Sequence, residues 1–357
     1  MANTVWWGTY PEAGLGSPTG TGEGVWRQSA SDASRALELP APSFMAGHPS
    51  LSLLYVTSEE DASQLHVVDV SDESAPSVAA SVPTGGSGAC HVLISPDART
   101  LYISHYGSGD LSVIQLDENG MPVAEAAAQV LGHAGSGPRT DRQDAPHAHS
   151  AGFGPGGHHV LVADLGTDEL RRYAVRADGL LDDHGIAATL PAGSGPRHFV
   201  VGDGRGGSDL LYVACELSGT IVTLRWDAHA GEAYAIAEQP VTTVSPRSAD
   251  DNYPSHIVLH DGVLFTGVRG ADVIALHDLS PEGQLNYRTS IDAGHWPRHF
   301  AIIAQRLHVG AERGHEVRTY DMDDVLALPP ENEVGYVAHV AHASAAMPSP
   351  AFAIALP

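Results

Sequence analysis

A unit of roughly 50 residues recurs along this chain, and that recurrence limits the fold more than any other feature. Each copy holds a Pro or Gly corner, an apolar strand, a turn, a second apolar strand, a Gly-rich turn and a third strand of alternating polarity. The copies open at PSFMAG (42–47), SGACHV (87–92), PHAHSAG (146–152), PRHFVV (196–201), PSHIVL (254–259) and PRHFAI (297–302). Their second strands provide a ruler: Tyr55, Tyr102, Leu161, Tyr212, Phe265 and His308 stand 47, 59, 51, 53 and 43 residues apart. Several short strands per repeat at this period, punctuated by Gly, Pro, Asn and Asp, predict the blades of a β-propeller.

Six copies leave both ends of the chain over. TVWWGTY (4–10) and GEGVWRQ (22–28) match the second and third strands of a blade, and PSPAFAIALP (348–357) matches a first strand. Together they predict a seventh, shared blade, which pairs the chain ends and removes the open sheet edges. The expected fold is all-β: a seven-bladed β-propeller of four-stranded blades, one domain over residues 1–357, closed by the C-terminal strand joining the N-terminal blade. LPPENEVG (328–335) reads as an inter-blade loop rather than a linker.

Composition narrows the function classes. Hydrophobic residues make up 43% of the chain, enough for a core,. No run of 18 apolar residues predicts a membrane span, and the start MANTVWWGTY has neither a basic nor a long apolar region of the signal-peptide type,. Cys90 and Cys215 are too few and too far apart for a disulfide framework, so they read as buried thiols in a cytoplasmic protein,. The net charge is -25, which disfavours nucleic acid and anionic membranes as partners,. All 18 basic residues are arginine, which excludes lysine Schiff-base chemistry and a P-loop,. With its edges closed, the ring is expected to be a monomer.

Two registers carry residues that a blade does not need. The corner before the first strand holds Ser43, His149, Arg197, Ser255, Arg298 and, in the seventh blade, Ser349. The end of the second strand holds Glu59, Tyr106, Leu165, Glu216, Arg269, Glu312 and Tyr10. Equivalent positions of all blades lie on a ring about one axis, so these registers gather arginine, histidine and glutamate around a mouth. Convergent titratable groups over a concavity form the default candidate site. Strand-end charges that are merely solvated, or paired between blades, are the plainer alternative. His158, His159, His184, His260 and His277 read as surface residues in turns or on strand faces.

The segments GTY (8–10), HYGSG (105–109), GPRTDRQDAPHAHS (137–150), DLGTDELRRY (164–173), GSGPRH (193–198), YVACE (212–216) and VRGAD (268–272) are distinctive. In these the chain resembles the seven-bladed lactonase family, that of propeller-type 6-phosphogluconolactonases and the fungal carboxymuconate-lactonising enzyme. The resemblance covers nearly the whole chain. It implies catalytic or substrate-binding roles for His149, Arg197, Glu216 and Arg269. The family's usual Asn before the strand-two Tyr, Glu and Arg residues is replaced here by Ser58, His105, Cys215 and Val268.

Lactone hydrolysis needs a base for water, donors for the developing oxyanion and an acid for the leaving alkoxide. On the registers and the resemblance together, Glu216 is the candidate base. Arg197 and Arg269 polarise the carbonyl and hold a small anionic substrate with their fixed donor forks. His149 shuttles a proton. Arg298, His147, Arg142 and Arg139 are candidates for holding a phosphate or carboxylate, with Glu59, Tyr106 and Asp164 completing the substrate site. A lactone opens without redox chemistry and no GxGxxG opens a helix, so no cofactor is implied; no GxSxG elbow occurs, so no Ser-His-Asp nucleophile is expected either. A metal held by His147, His149, Asp144 and Asp164 is a weaker reading of the HxH pattern. Two further readings stay open: a cycloisomerase acting on a muconolactone-type acid, and a propeller that binds a ligand or protein without catalysis.

Overall fold

The computed structural model describes residues 4–10, 24–29, 32–205, 209–247, 251–331 and 333–356. Seven sheets of four antiparallel strands form the blades, each built from consecutive strands except the shared one. The shared blade runs Pro350–Ile354, Val5–Thr9, Val25–Ser29 and Asp32–Leu37 from the axis outward. Trp6 pairs with Ile354, Trp7 with Ala353 and Gly8 with Phe352, so the chain ends close the ring as expected. Gly22 and Glu23 of the anticipated third-strand segment lie outside the described residues. Innermost strands of neighbouring blades pack side by side around the whole circle, Pro350–Ile354 meeting both Pro297–Ile303 and Pro42–Gly47.

The burial gradient follows from this layout. Second strands are covered on both faces by neighbouring blades, and Leu53–Ser58, Thr100–His105, Leu210–Cys215 and Val263–Arg269 are buried at every residue. Fourth strands lie at the rim, where Glu232–Pro240 is mostly exposed. The ruler positions also clasp blade to blade. Tyr55, Tyr102 and Tyr212 each donate a phenolic hydrogen bond to a glycine carbonyl in the next blade, at Gly120, Gly179 and Gly283, over 3.0, 3.0 and 2.7 Å. Those glycines have φ of +75°, +80° and +78°. A side chain would be strained there, and a Cβ on Gly120 would stand 2.7 Å from the Tyr55 hydroxyl,.

Three expectations change. LPPENEVG lies inside the sixth blade, between its third strand with the short helix Met322–Leu326 and its fourth strand His342–Ala346, and is not an inter-blade loop. His277 sits on the wholly buried part of Val273–Leu279, because a third strand is still covered by the neighbouring blade. The seventh member of the corner register is Ala351 and not Ser349: the irregularity falls between Pro350 and Phe352. Cys90 and Cys215 are free and buried. Among the described residues, no helix is long and apolar enough to cross a membrane.

Candidate active site

The corner register has a structural cause. In every blade the innermost strand carries a β-bulge at its start, where two residues oppose one on the second strand. The extra residue is turned off the sheet. Around the ring these residues are Ser43, Cys90, His149, Arg197, Ser255, Arg298 and Ala351. The second register follows directly. Glu59, Tyr106, Leu165, Glu216, Glu312 and Tyr10 each donate a backbone N–H to the corner before the adjoining first strand, Glu216 to the Gly195 carbonyl at 2.7 Å. Arg269 ends the fifth-blade second strand opposite Tyr253.

Aspartates in the blade turns fix those corners. Asp168, at φ +57°, accepts N–H groups from Gly193 and Gly195 at 2.6 and 2.7 Å, which sets the approach to Pro196 and Arg197. Asp272, at φ +61°, accepts from Trp296 N–H at 2.9 Å just ahead of Arg298. A short polar side chain tolerates this left-handed backbone and supplies the acceptor the corner needs.

The two registers meet at one mouth of the central channel. A cavity of about 220 Å³ there is lined by Glu59, Tyr106, Arg142, His149, Arg197, Glu216, Arg269 and Arg298. Buried Glu216 is its anchor. Arg142 Nη2 donates to Oε1 at 2.8 Å, and Arg269 Nη2 donates to Oε2 at 2.7 Å. Arg197 Nε lies 3.0 Å from Oε2, close enough for an ion pair but outside hydrogen-bond alignment. Arg197 also donates to the Ser255 carbonyl, and Arg269 to the Tyr253 and Pro254 carbonyls. Arg142 donates to the Tyr106 hydroxyl.

On the other side of the cavity, the Tyr10 hydroxyl donates to Glu59 Oε2. Arg298 Nη2 donates to Tyr10 Oη at 2.6 Å, and the guanidinium stands 4.3 Å over the Tyr10 ring. Arg298 Nη1 reaches Glu312 Oε2 at 3.4 Å.

Electrostatics follow these contacts. Burial opposes the charge of Glu216, but Arg269, Arg197 and Arg142 outweigh it and hold the carboxyl well below the usual range. Burial, with Arg269 beside it, brings Arg197 down to about 9, still a cation at neutral pH. Burial and then Arg197 push His149 well below the ordinary histidine value, so it is a neutral imidazole. Burial raises the Tyr10 phenol well above its usual value, although Arg298 opposes this. Four guanidinium groups against the carboxylates of Glu59, Glu216 and Glu312 leave the mouth with one net positive charge on a strongly acidic protein.

Three anticipated residues do not reach the cavity. Asp164 is fully buried and its Oδ1 accepts the N–H groups of His147, Gly166 and Thr167 at 2.9, 2.9 and 3.0 Å, so it ties a turn. His147 stacks on Tyr106 at 4.5 Å and bonds the Tyr106 carbonyl through Nδ1. The bulge at His149 breaks the simple strand alternation that would aim His147 and His149 alike, and among the described residues no three metal-ligating side chains converge. Arg139 bonds the Leu217 carbonyl outside the cavity lining.

Below the mouth lies a feature that sequence reading missed. The residue after each bulge forms a second ring: Phe44, His91, Ser150, His198, His256, His299 and Phe352. His256 stacks on His299 at 4.1 Å, His198 Nδ1 lies 2.8 Å from His256 Nδ1, and Phe44 packs on His91 and Phe352 at 4.3 and 3.9 Å. The space between the two rings shrinks to about 10 Å³, the size of a single water,. Beyond this floor the channel widens into a second chamber of about 320 Å³. The signal was present in the doublets Cys90-His91, Arg197-His198, Ser255-His256 and Arg298-His299.

Comparison with known proteins gives a consistent picture. The family model described as "Lactonase, 7-bladed beta-propeller" matches residues 5–329. A 6-phosphogluconolactonase of Bacillus subtilis is 29% identical over 315 residues, covering 83% of each chain. Among solved structures, a Lactobacillus plantarum protein superposes with a TM-score of 0.81 at 21% identity over all of both chains. A periplasmic gluconolactonase of Pseudomonas aeruginosa does so with 0.79 at 20% identity over 99% of each. At these identities the structural likenesses speak to the fold alone.

Proposed function

The chain belongs to the seven-bladed β-propeller lactonase family, and from that premise we propose that it hydrolyses a sugar lactone, with 6-phosphogluconolactone the leading substrate. The observation that carries the reading is the convergence of Arg142, Arg197, Arg269 and Arg298 on one cavity. A lactone carbonyl becomes an oxyanion as water attacks, and preorganised cations in a partly dry site stabilise that charge. Among the described residues, Arg197 Nη2 and Arg142 Nη1 have no hydrogen-bond acceptor, which leaves N–H groups for a substrate oxygen. The net positive mouth favours an anionic molecule, and the named Bacillus subtilis relative acts on a phosphorylated one.

Glu216 takes a different role from the one its place in the pattern suggested. A carboxylate held by three guanidinium groups is a weak proton acceptor. It aligns Arg142, Arg197 and Arg269, and so positions the oxyanion donors. Neutral His149 lines the same wall and offers an N–H or a lone pair to the substrate instead of a charge.

The test is hydrolysis of freshly generated 6-phosphogluconolactone and of gluconolactone, above their spontaneous rates, by wild type and Arg197→Ala. Turnover that falls by about 10²-fold or more in the variant supports the reading. Wild-type inactivity on both lactones overturns it. A preference for gluconolactone moves the substrate and keeps the reaction.

A further inference from the structure

The cavity holds two carboxylates in opposite situations. Both oxygens of Glu216 are engaged by guanidinium groups. Glu59 is half-buried, lines the cavity and, among the described residues, has only Oε2 engaged, by the Tyr10 hydroxyl. Arginine can only donate, so with Arg298 Nη2 donating to Tyr10 Oη the phenolic proton must point at Glu59,. Glu312 anchors the far side of Arg298. The string Glu312–Arg298–Tyr10–Glu59 therefore fixes one Glu59 oxygen as an acceptor and leaves Oε1 without a hydrogen-bond partner among the described residues, on a side chain that lines the cavity. This is the logic by which a catalytic base is oriented from behind by a third group.

We propose that Glu59 is the base that takes the proton from the attacking water, with Tyr10 and Arg298 as its positioning residues. The inference rests on the lactonase reading above. In the forward step the water oxygen bonds to the lactone carbonyl carbon, and one water proton passes to Glu59 Oε1. The carbonyl electron pair moves onto its oxygen, opposite the N–H groups of Arg197 and Arg142. As the intermediate collapses, the ring C–O bond breaks and the departing alkoxide takes the proton back from Glu59. One water is consumed, Glu59 is regenerated, and the product is a hydroxy acid that loses its carboxyl proton to solvent. No metal or redox partner enters the balance. Tyr10 keeps its own proton throughout, in accord with a buried phenol whose ionisation is disfavoured.

The experiment is steady-state kinetics on whichever of the two lactones wild type hydrolyses, with Glu59→Gln, Glu216→Gln and Tyr10→Phe. Glu59→Gln is expected to lower kcat by about 10²- to 10⁴-fold, with KM little changed. Tyr10→Phe removes a hydrogen bond to the ionised carboxylate, so the acid limb of the pH–kcat profile should move to higher pH. A merely structural tyrosine would leave that limb in place. Glu216→Gln should raise KM and lower kcat together, through misaligned arginines. Wild type inert on both lactones fells the parent reading and this assignment with it. An active wild type with Glu59→Gln at full kcat, or with its whole effect in KM, overturns the base assignment alone.

Discussion

The mouth and the floor of the channel are built one residue apart on the same strands, yet they behave as opposites. At the mouth, buried Arg197 and half-buried Arg298 are charged, each with a carboxylate within reach. In the floor, His198 and His299 are also buried, but their neighbours are other imidazoles, Phe44 and Phe352. Burial, with Arg197 close by, brings His91 and His256 down to about 3 and holds His198 and His299 well below their usual value. Titratable side chains thus make a site where counter-charges are supplied and an uncharged plug where they are not. The number of ionisable residues in a cavity says little until their partners are known.

The comparison can be broken from either side. The largest effect should come from Glu216→Leu, which leaves three arginines facing each other. Activity should vanish, and stability in urea titrations should fall by about 3–5 kcal/mol.

Acid should separate the two layers. The floor histidines are neutral in the fold but titrate near 6.5 when unfolded, so the unfolded chain binds more protons below that pH. Stability is full above about 6.5 and declines as pH falls, by up to about 1.4 kcal/mol per unit for each histidine. Glu216, held low in the fold, contributes stability that is lost only as pH drops below its unfolded value of 4.5. Urea unfolding between pH 7.5 and 5 should therefore show a slope due mainly to the histidines, and the double variant His91→Phe, His256→Phe should flatten it. An unchanged slope would mean that the floor is not the acid-sensitive layer.

The smallest effect is expected for His256→Phe alone at pH 7.5. Replacing a neutral ring with an apolar one of similar volume should move stability by no more than about 1.5 kcal/mol. It should alter turnover by less than about threefold. A large loss of kcat would place the floor within the catalytic apparatus and erase the contrast.

Much of this was legible in the chain. The ruler from Tyr55 to His308 counts blades because each marked residue is itself buried in its second strand, and that burial imposes the repeat. The ring of Glu59, Tyr106, Glu216, Arg269, Glu312 and Tyr10 was legible because each residue ends that strand or follows it directly. What failed depended on finer geometry. Ser349 and Ala351 both sit beside a proline in PSPAF, and only the pairing of Pro350 with Thr9 shows which is extra. Asp164 is near the HxH segment in sequence, but its oxygen is consumed by three backbone N–H groups. The roles proposed here for Glu216 and Glu59 rest on how many arginines each carboxylate meets, and those contacts cross between blades. The floor histidines each follow a corner residue directly, and only the bulge, which turns the two residues to different levels of the channel, gives them a layer of their own.

The shared blade also sets when chemistry becomes available. Tyr10 and Arg298 are 288 residues apart in sequence. They face each other only because Val5–Thr9 is held beside the sixth blade, by a strand that follows every other in chain order. Such long-range closure is the slow and costly step in forming a ring. The arginine cluster on Glu216 spans the third, fourth and fifth blades, so an unfinished or unlatched chain can already assemble it. The arm behind Glu59 has to wait for the latch. On the base assignment proposed above, a ring still open would hold the arginine cluster without the arm that orients Glu59, so the final clasp would complete the site as well as the fold.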